Sequence, residues 1–565
     1  MRTSGKMTAA VGAMCVIALI VGGCSKNGAN QSNKKADKKA AAAAKALPGT
    51  QMASASRADV KQGGALRIAV IDFPQNFNSY NIDGNDAALI PIDQSTLPQI
   101  FTFDNTGNPV LNKDYATSAK VTSESPFTVT YEMNPKAIWS NGTPIGYPDF
   151  LAAWKANNGK NAAFKTASTN GWEKITGITK GSSDREIKVT FNAPYAGWPA
   201  VFNGLMPASL DATPKSYNTA WVHGRPISGG PFILSKADST SQVMTENPNP
   251  RWWGEKPKLS QLIVRTLDQP AQVGAFTNGE LDALSIGTNA DVLKQAEQTP
   301  NTKIYRSSGL TWYHLDLNGK SPLLSNVQLR TAIFQGVDRT QIAKTRLGPI
   351  GAPAQLLSNH MYVQSQDGYQ ANDSVVAYNP AQAKKTLDSL GWKMSGKFRK
   401  KDGKTLTLRM VGQAGNPVHA QVGSQVQQSL AAIGVQVKIV GVPKDDYFTK
   451  YVDTGDYDLT YYGWTGGAYP ECSSKSIFAE GGDQNHTYVS TKEIGQLFDQ
   501  ACSTLDPTQR RKIANELDKK IFALASEVTI YTLAGVGAVK DNLLNYDEDT
   551  SAFQSPDWTN VGFRK

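Results

Sequence analysis

Two of the four cysteines, five histidines, a few neighbouring carboxylates and one run of aromatic rings are the side chains whose types and spacing could do chemistry, Cys15 and Cys24 belonging to the N-terminal segment. The histidines (His223, His314, His360, His419, His486) are scattered, whereas a metal site usually shows its ligands at short, fixed spacings. No metal is therefore expected. The chain has no GxSxG elbow, no HExxH, no phosphate-binding loop and no CxxC, so the common routes to nucleophilic, metal-assisted and phosphoryl chemistry lack their motifs. Asp445 with Asp446, and Asp456 with Asp458, read as solvated turns. The single GxG, Gly535 to Gly537, follows the strand pattern "VTIYTLA" but no helix pattern succeeds it. No catalytic residue and no cofactor are expected. What remains is "GDYDLTYYGWTGG", Gly455 to Gly467, where Tyr461, Tyr462 and Trp464 crowd between glycines. Such rings serve a core or a stacking surface.

The first sixty residues say where this chemistry is located. Arg2 and Lys6 precede an apolar run from Met7 to Val21, followed by "VGGCS", the three parts of a secretion signal. The small residues before Cys24 make it a lipoprotein signal, in which Cys24 takes a lipid and becomes the mature N-terminus. The alternative is an ordinary signal with Cys24 incidental. Ser25 to Gly64 has almost no bulky apolar residues and cannot offset its ordering entropy by burial. It reads as a flexible tether holding an extracytoplasmic domain at the membrane. Residues 1 to 62 carry ten lysines and arginines against two aspartates, eight of the ten net positive charges. The near-neutral body argues against nucleic acid, and the basic tether suits an anionic membrane surface. In an exported protein the remaining pair, Cys472 and Cys502, is expected to form a disulfide, with two buried free thiols as the alternative.

These groups need elements to position them. Leu66, Ile68 and Val70 alternate as an opening strand; "FTVTYEMNP" from Phe127 and "REIKVTFNAP" from Arg185 alternate likewise. "NPAQAKKTLDSLGW" is a helix with Asn379 as cap, Pro380 in the first turn and Gly391 as stop. A β-α-β unit follows: Leu406, Leu408 and Met410; then Val422, Val426, Leu430 and Ile433 at helical spacing; then Val435, Val437 and Ile439. Such a unit gives parallel strands, with ligands favoured at their carboxyl ends. A further amphipathic helix runs from Pro507 to about Ala525.

Eight blocks in order carry a family resemblance: "GGALRIAV", "AIWSNGTPIGYPDFLAAW", "ISGGPFIL", "ENPNPRWWGEKPKLSQLIVR", "FTNGELDAL", "LRTAIFQGVDRTQI", "YNPAQAKKTLDSLGW" and "GDYDLTYYGW". From Gly63 to Lys565 the chain resembles the bacterial extracellular solute-binding proteins of family 5, the peptide- and nickel-binding class that feeds ABC importers. The resemblance implies a periplasmic-binding-protein-like α/β fold of the large three-domain type, with two α/β lobes, a strand-rich inserted domain and a two-segment hinge. It places a signal peptide at 1–23, a tether at 24–60, lobe I at 61–95, 221–310 and 530–565, the inserted domain II at 96–220 and lobe III at 311–529. The hinge would lie near "WYHLDLNG" (Trp312 to Gly319) and "SEVTIYTL" (Ser526 to Leu533). "NGTP" and "NPNPRWWG" read as turns and packing.

The resemblance also implies a site. Asn76, Phe77, Asn78 and Tyr80 of lobe I would face Tyr461, Tyr462, Gly463, Trp464 and Thr465 of lobe III, with Asn416 contributing from the loop after a neighbouring strand. Alternate strand residues face opposite sides, so Tyr461 and Gly463 share one face, Tyr462 and Trp464 the other. In peptide-binding relatives "GWxxD" ends in an aspartate that holds the ligand's free amine; here that position is Gly467. Glu471 is the next acid along the chain. A neutral or internally balanced ligand follows, a peptide held otherwise or another polar solute. The implied function is a lipid-anchored, monomeric receptor that hands a solute to ABC permease subunits. The alternative is an envelope regulatory or scaffolding lipoprotein on the same fold, and a secreted hydrolase lacks any catalytic constellation.

Overall fold

The computed structural model describes residues 46–548 and 554–565; the signal and Cys24 lie outside them. Strand β1 (Ala65–Val70) buries Leu66 and Ile68, the two residues its alternation puts inward. The chain then departs into an antiparallel sheet of β2 (Ala116–Glu124), β3 (Phe127–Met133), β4 (Ile175–Lys180) and β5 (Glu186–Phe191), ordered β2-β3-β5-β4. Phe127, Val129, Tyr131, Ile187 and Val189 form its core face. Helix α1 (Tyr147–Asn157) covers it, opened by Pro148 and by Asp149, which accepts the Gly146 N–H at 2.9 Å. Strands β6 (Phe232–Asp238), β7 (Val243–Pro248) and β8 (Gln261–Thr266) return to β1 in the order β1-β8-β7-β6, with β1 and β8 parallel. Between β7 and β8, Trp252 and Trp253 pack on each other and on Tyr115, which is the packing role their turn-rich setting suggests.

The third sheet has six strands. Strand β9 (Ala283–Ser285) precedes β10 (Thr302–Leu317), and the helices α2 (Arg339–Leu347) and α3 (Pro380–Ser389) follow. Asn379 caps α3 by accepting the Gln382 N–H, with Pro380 in its first turn and Gly391 at a positive φ beyond its end. Strand β11 (Thr407–Gln413), helix α4 (Pro417–Ala431) and strand β12 (Gln436–Val442) form the expected parallel unit. Ile439 departs from it: it is 42% exposed, because β12 is an edge strand. Strand β13 (Leu459–Thr465) lies between β11 and β10, parallel to the first and antiparallel to the second. Helices α5 (Lys492–Ser503) and α6 (Pro507–Leu524) lead into β14 (Glu527–Lys540), and the sheet order is β9-β14-β10-β13-β11-β12.

Strands β10 and β14 are the longest, and they pair with each other from Thr302–Lys540 to Asp316–Glu527. Their register breaks between Ser308 and Trp312. On one side of the break β14 pairs with β9, and on the other β10 pairs with β13. The same two strands therefore serve both ends of the sheet. Gly535 and Gly537 sit inside β14, so their GxG pattern is strand and not a phosphate loop. Cys472 and Cys502 are bonded, with Cα atoms 4.9 Å apart. Among the described residues no helix is long and apolar enough to cross a membrane.

Candidate ligand-binding site

The loop expected to face the ligand from the first lobe is committed inward. Phe77 is fully buried in the core around β1. Asn76 donates to the Asn218 carbonyl and Asn78 to the Tyr217 carbonyl, each at 3.0 Å. The Tyr80 hydroxyl donates to the Asn203 carbonyl and its ring meets Trp172 edge-on. In this conformation Asn76, Asn78 and Tyr80 tie the loop to residues 203–218, and Phe77 ties it to the core around β1. The polar residue types suggest a binding surface; their carbonyl partners, more than a hundred residues away, are invisible to local pattern.

Strand β13 keeps its alternation to Thr465, so its aromatic residues divide between two environments. Tyr461, 1% exposed, stacks on Tyr313 at 5.3 Å and shares a 2.6 Å hydroxyl–hydroxyl contact with Tyr531. Tyr313 also stacks on Tyr531 at 5.4 Å, and Gly463 lies directly across from Tyr313. Burial drives the Tyr461 and Tyr531 hydroxyls upward from their ordinary pKa, and the Arg346 guanidinium partly opposes this. Arg346 is half-buried, and among the described residues it has no carboxylate within ion-pair distance.

Asn416 is close to this group through its helix. Its side chain accepts the Val418 and His419 N–H groups and so caps α4. His419 packs edge-on against Tyr461 at 5.7 Å. Burial lowers the His419 pKa to about 4, leaving Nδ1 free to accept the Gln413 N–H at 3.0 Å. A cavity of about 330 Å³ opens at this carboxyl end of β11, among Gln413, Asn416, Pro417 and His419. A second, of about 320 Å³, opens at the carboxyl end of β1 beside Asp72, Asp86 and Glu548. Both lie where open parallel sheets receive ligands.

At the end of β13, Thr465 is exposed, and a Cβ added at Gly467 would meet nothing within 4 Å. The Gly467 carbonyl accepts from Gln366 Nε2 at 3.3 Å. Glu471, the next acid along, is 2% exposed and points away, paired with Arg510 at 2.5 Å. Burial raises its pKa, and Arg510 pulls it back. It is not a substitute for the missing carboxylate.

The fold and its site invite comparison with known proteins. The family model described as bacterial extracellular solute-binding proteins, family 5 Middle, matches residues 110–485. This chain belongs to family 5. Among its relatives is the oligopeptide-binding protein OppA of Mycobacterium tuberculosis (strain H37Rv), 36% identical over 97% of this chain and 93% of that protein. The probable monoacyl phosphatidylinositol tetramannoside-binding protein LpqW of the same organism is 23% identical over 60% of this chain and 56% of its own length. Among solved structures, the periplasmic EDTA-binding protein EppA superposes with a TM-score of 0.82 at 25% identity, covering 91% of this chain and 99% of its own. Family 5 members are the substrate-binding components of ABC importers and are not enzymes, and this chain has their multi-domain α/β fold.

On the other face of this family 5 sheet lies a buried polar network that local spacing does not reveal. The Tyr462 hydroxyl donates to Asp316 Oδ2 at 2.6 Å, and the other Asp316 oxygen is 2.8 Å from His314 Nδ1. That nitrogen is 3.5 Å from Glu527, and His360 Nδ1 is 2.7 Å from Asp518. Trp464 stacks between His314 and His486 at about 6 Å from each. Burial first, then Asp316, pushes the Glu527 carboxyl well above the usual range. Donor atoms of His314, Asp316 and Glu527 lie within 4.8 Å of one another, the one such group among the described residues that could hold a metal ion. Its members come from two strands some 210 positions apart. Only the pair His314 and Asp316, two residues apart on one strand face, is readable from local spacing. Tyr462 and Trp464 thus serve this interior and not the Tyr461 platform.

Proposed function

We propose that this chain is a receptor held by a lipid on Cys24 at the outer face of the cell membrane. It captures a peptide or a related small polar solute between its lobes and passes it to ABC permease subunits as a monomer. The lobe boundaries expected from the family resemblance, with β10 and β14 as the hinge, are part of this proposal. Membership of family 5 and the likeness to an oligopeptide-binding relative support capture and delivery. The signal-like N-terminus supports the anchor.

The observation that carries the ligand class is the pairing of open space at Gly467 with the half-buried Arg346 beside Tyr461 and Tyr531. A free ammonium group leaving water needs an opposite charge, and the usual position offers none. A guanidinium without an acid partner favours a carboxylate. The ligand is then a peptide or solute whose anionic end is held and whose amine is blocked, absent or left in water. The likeness to EppA, named for binding a polycarboxylate chelator, is in keeping with this.

Mass spectrometry of what co-purifies with the protein tests the reading. Carboxylate-bearing peptides or solutes are expected. An empty protein whose melting temperature is unmoved by peptide and polycarboxylate libraries would remove it in favour of the envelope regulatory or scaffolding role on the same fold.

A further inference from the structure

Residues 46–52, Ala-Leu-Pro-Gly-Thr-Gln-Met, fall by composition in the tether, yet they are packed into the fold. The reason lies in β10. Strand β13 pairs with β10 only from Thr311 onward, so on that side β13 leaves the Arg306 and Ser308 N–H groups uncovered while the strand's other side pairs with β14. An uncovered strand edge is a template for another extended segment. The chain's own segment supplies one: the Pro48 carbonyl accepts the Ser308 N–H at 2.7 Å, and Gln51 Oε1 accepts the Arg306 N–H at 2.7 Å. The Gln51 N–H donates in turn to Asp547 Oδ2 at 3.2 Å.

The packing around it is close. Leu47 sits with Leu347, Ala352, Pro353 and Thr532, and the free space left beside it is about 30 Å³, room for a water or two. Gly49 lies so near the inserted domain that any Cβ would collide with the Asn105 carbonyl. Thr50 is 8% exposed. One short segment thus touches β10, the pocket of Leu347 and Ala352, and the loop of Asn105. It runs between the Leu47 pocket and Asp547, whose neighbour Glu548 lines the cavity at the end of β1.

We propose that Ala46–Met52 is an internal peptide occupying the ligand cleft of the unloaded receptor. Captured solute must displace it from the β10 edge and from the Leu47 pocket. This rests on reading the cleft as the ligand site. A tethered occupant lowers apparent affinity in proportion to the fraction of receptors it fills. It also predicts which external ligands compete best: extended backbones that offer a carbonyl to Ser308 and an aliphatic side chain to the Leu47 pocket.

The test uses the full mature chain and two variants, Leu47→Asp and Gly49→Val, each of which dislodges the segment by a different means. Hydrogen exchange is read at the Arg306, Ser308 and Gln51 amides without added ligand. Binding of the capped synthetic peptide acetyl-ALPGTQMA-amide is measured by calorimetry. The expected result is protection of these amides in the parent, exchange at least about tenfold faster in both variants, and binding of the peptide to the variants but not to the parent. Fast exchange of Ser308 in the parent would show that the segment is not docked and would overturn the inference. Protected amides together with no peptide binding by either variant would overturn the competition. The ligand reading stands or falls separately, on the mass spectrum of what co-purifies.

Discussion

At the residue scale, the most informative position is one with no side chain. Gly467 stands where the family resemblance leads one to expect an acid, and its surroundings would accept one: a Cβ placed there would have no atom within 4 Å, and the residue's φ is not in the left-handed region. Gly467→Asp is therefore expected to fold normally and to add a carboxylate at the cleft. A hydrogen bond to a charged group contributes about 1.5–3 kcal/mol, roughly a ten- to hundredfold change in Kd. Calorimetry with one peptide and its N-acetylated twin should show the gain for the free amine alone. Equal affinities in the variant would mean that position 467 does not face the ligand amine, and the ligand class drawn from it would fall. Tyr462 gives the complementary lesson. Its ring type suggests stacking on ligand, but its hydroxyl is bound to the buried Asp316, so its role belongs to the interior.

At the element scale, the sequence was legible where a pattern repeats within one element. The cap and stop of α3, the parallel unit of β11, α4 and β12, and the alternation of β1, β3 and β5 are all visible in residue order, since the periodicity within each element depends on neighbours three or four positions away at most and a helical crossover makes β11 and β12 parallel. The site was less legible, because strand alternation gives a face but not what covers it. Tyr313 and Tyr531 meet Tyr461 from strands about 150 and 70 positions distant, and residues 46–52 look like tether until the bare edge of β10 is known. The disulfide is an intermediate case. Its existence follows from cysteine count and export, its neighbours do not: the Cys502 carbonyl accepts the Ala196 N–H at 2.7 Å, so the bridged helix α5 also touches the loop after β5. Replacing both cysteines with alanine should cost about 2–4 kcal/mol for a loop with a sequence separation of 30. Denaturant unfolding measures it, with ligand affinity expected to stay within about twofold. A large loss of affinity would show that the bridge positions the cleft and does not only stabilise the fold.

At the scale of the whole molecule, the proposed hinge of β10 and β14 would connect what happens in the cleft to any movement of the lobes. Both strands belong to the ends of the sheet on either side of the irregularity at Ser308–Trp312, and a local break in a ladder is where two strands bend at least cost. A ligand bridging the two cavities gains contacts only when they approach, so it must favour the closed form by its differential affinity. Two measurements on one sample follow. With the co-purified solute removed and then restored at about one hundred times its Kd, the free energy of unfolding should rise by about 2.7 kcal/mol. The radius of gyration from small-angle X-ray scattering should fall in the same titration, half-complete at the Kd that the logarithmic rise in stability returns. Stabilisation without any change in scattering would retain capture but reject closure, since binding to a rigid cleft stabilises equally well. A fall in radius half-complete at a concentration far from that Kd would separate closure from this solute and assign it to another.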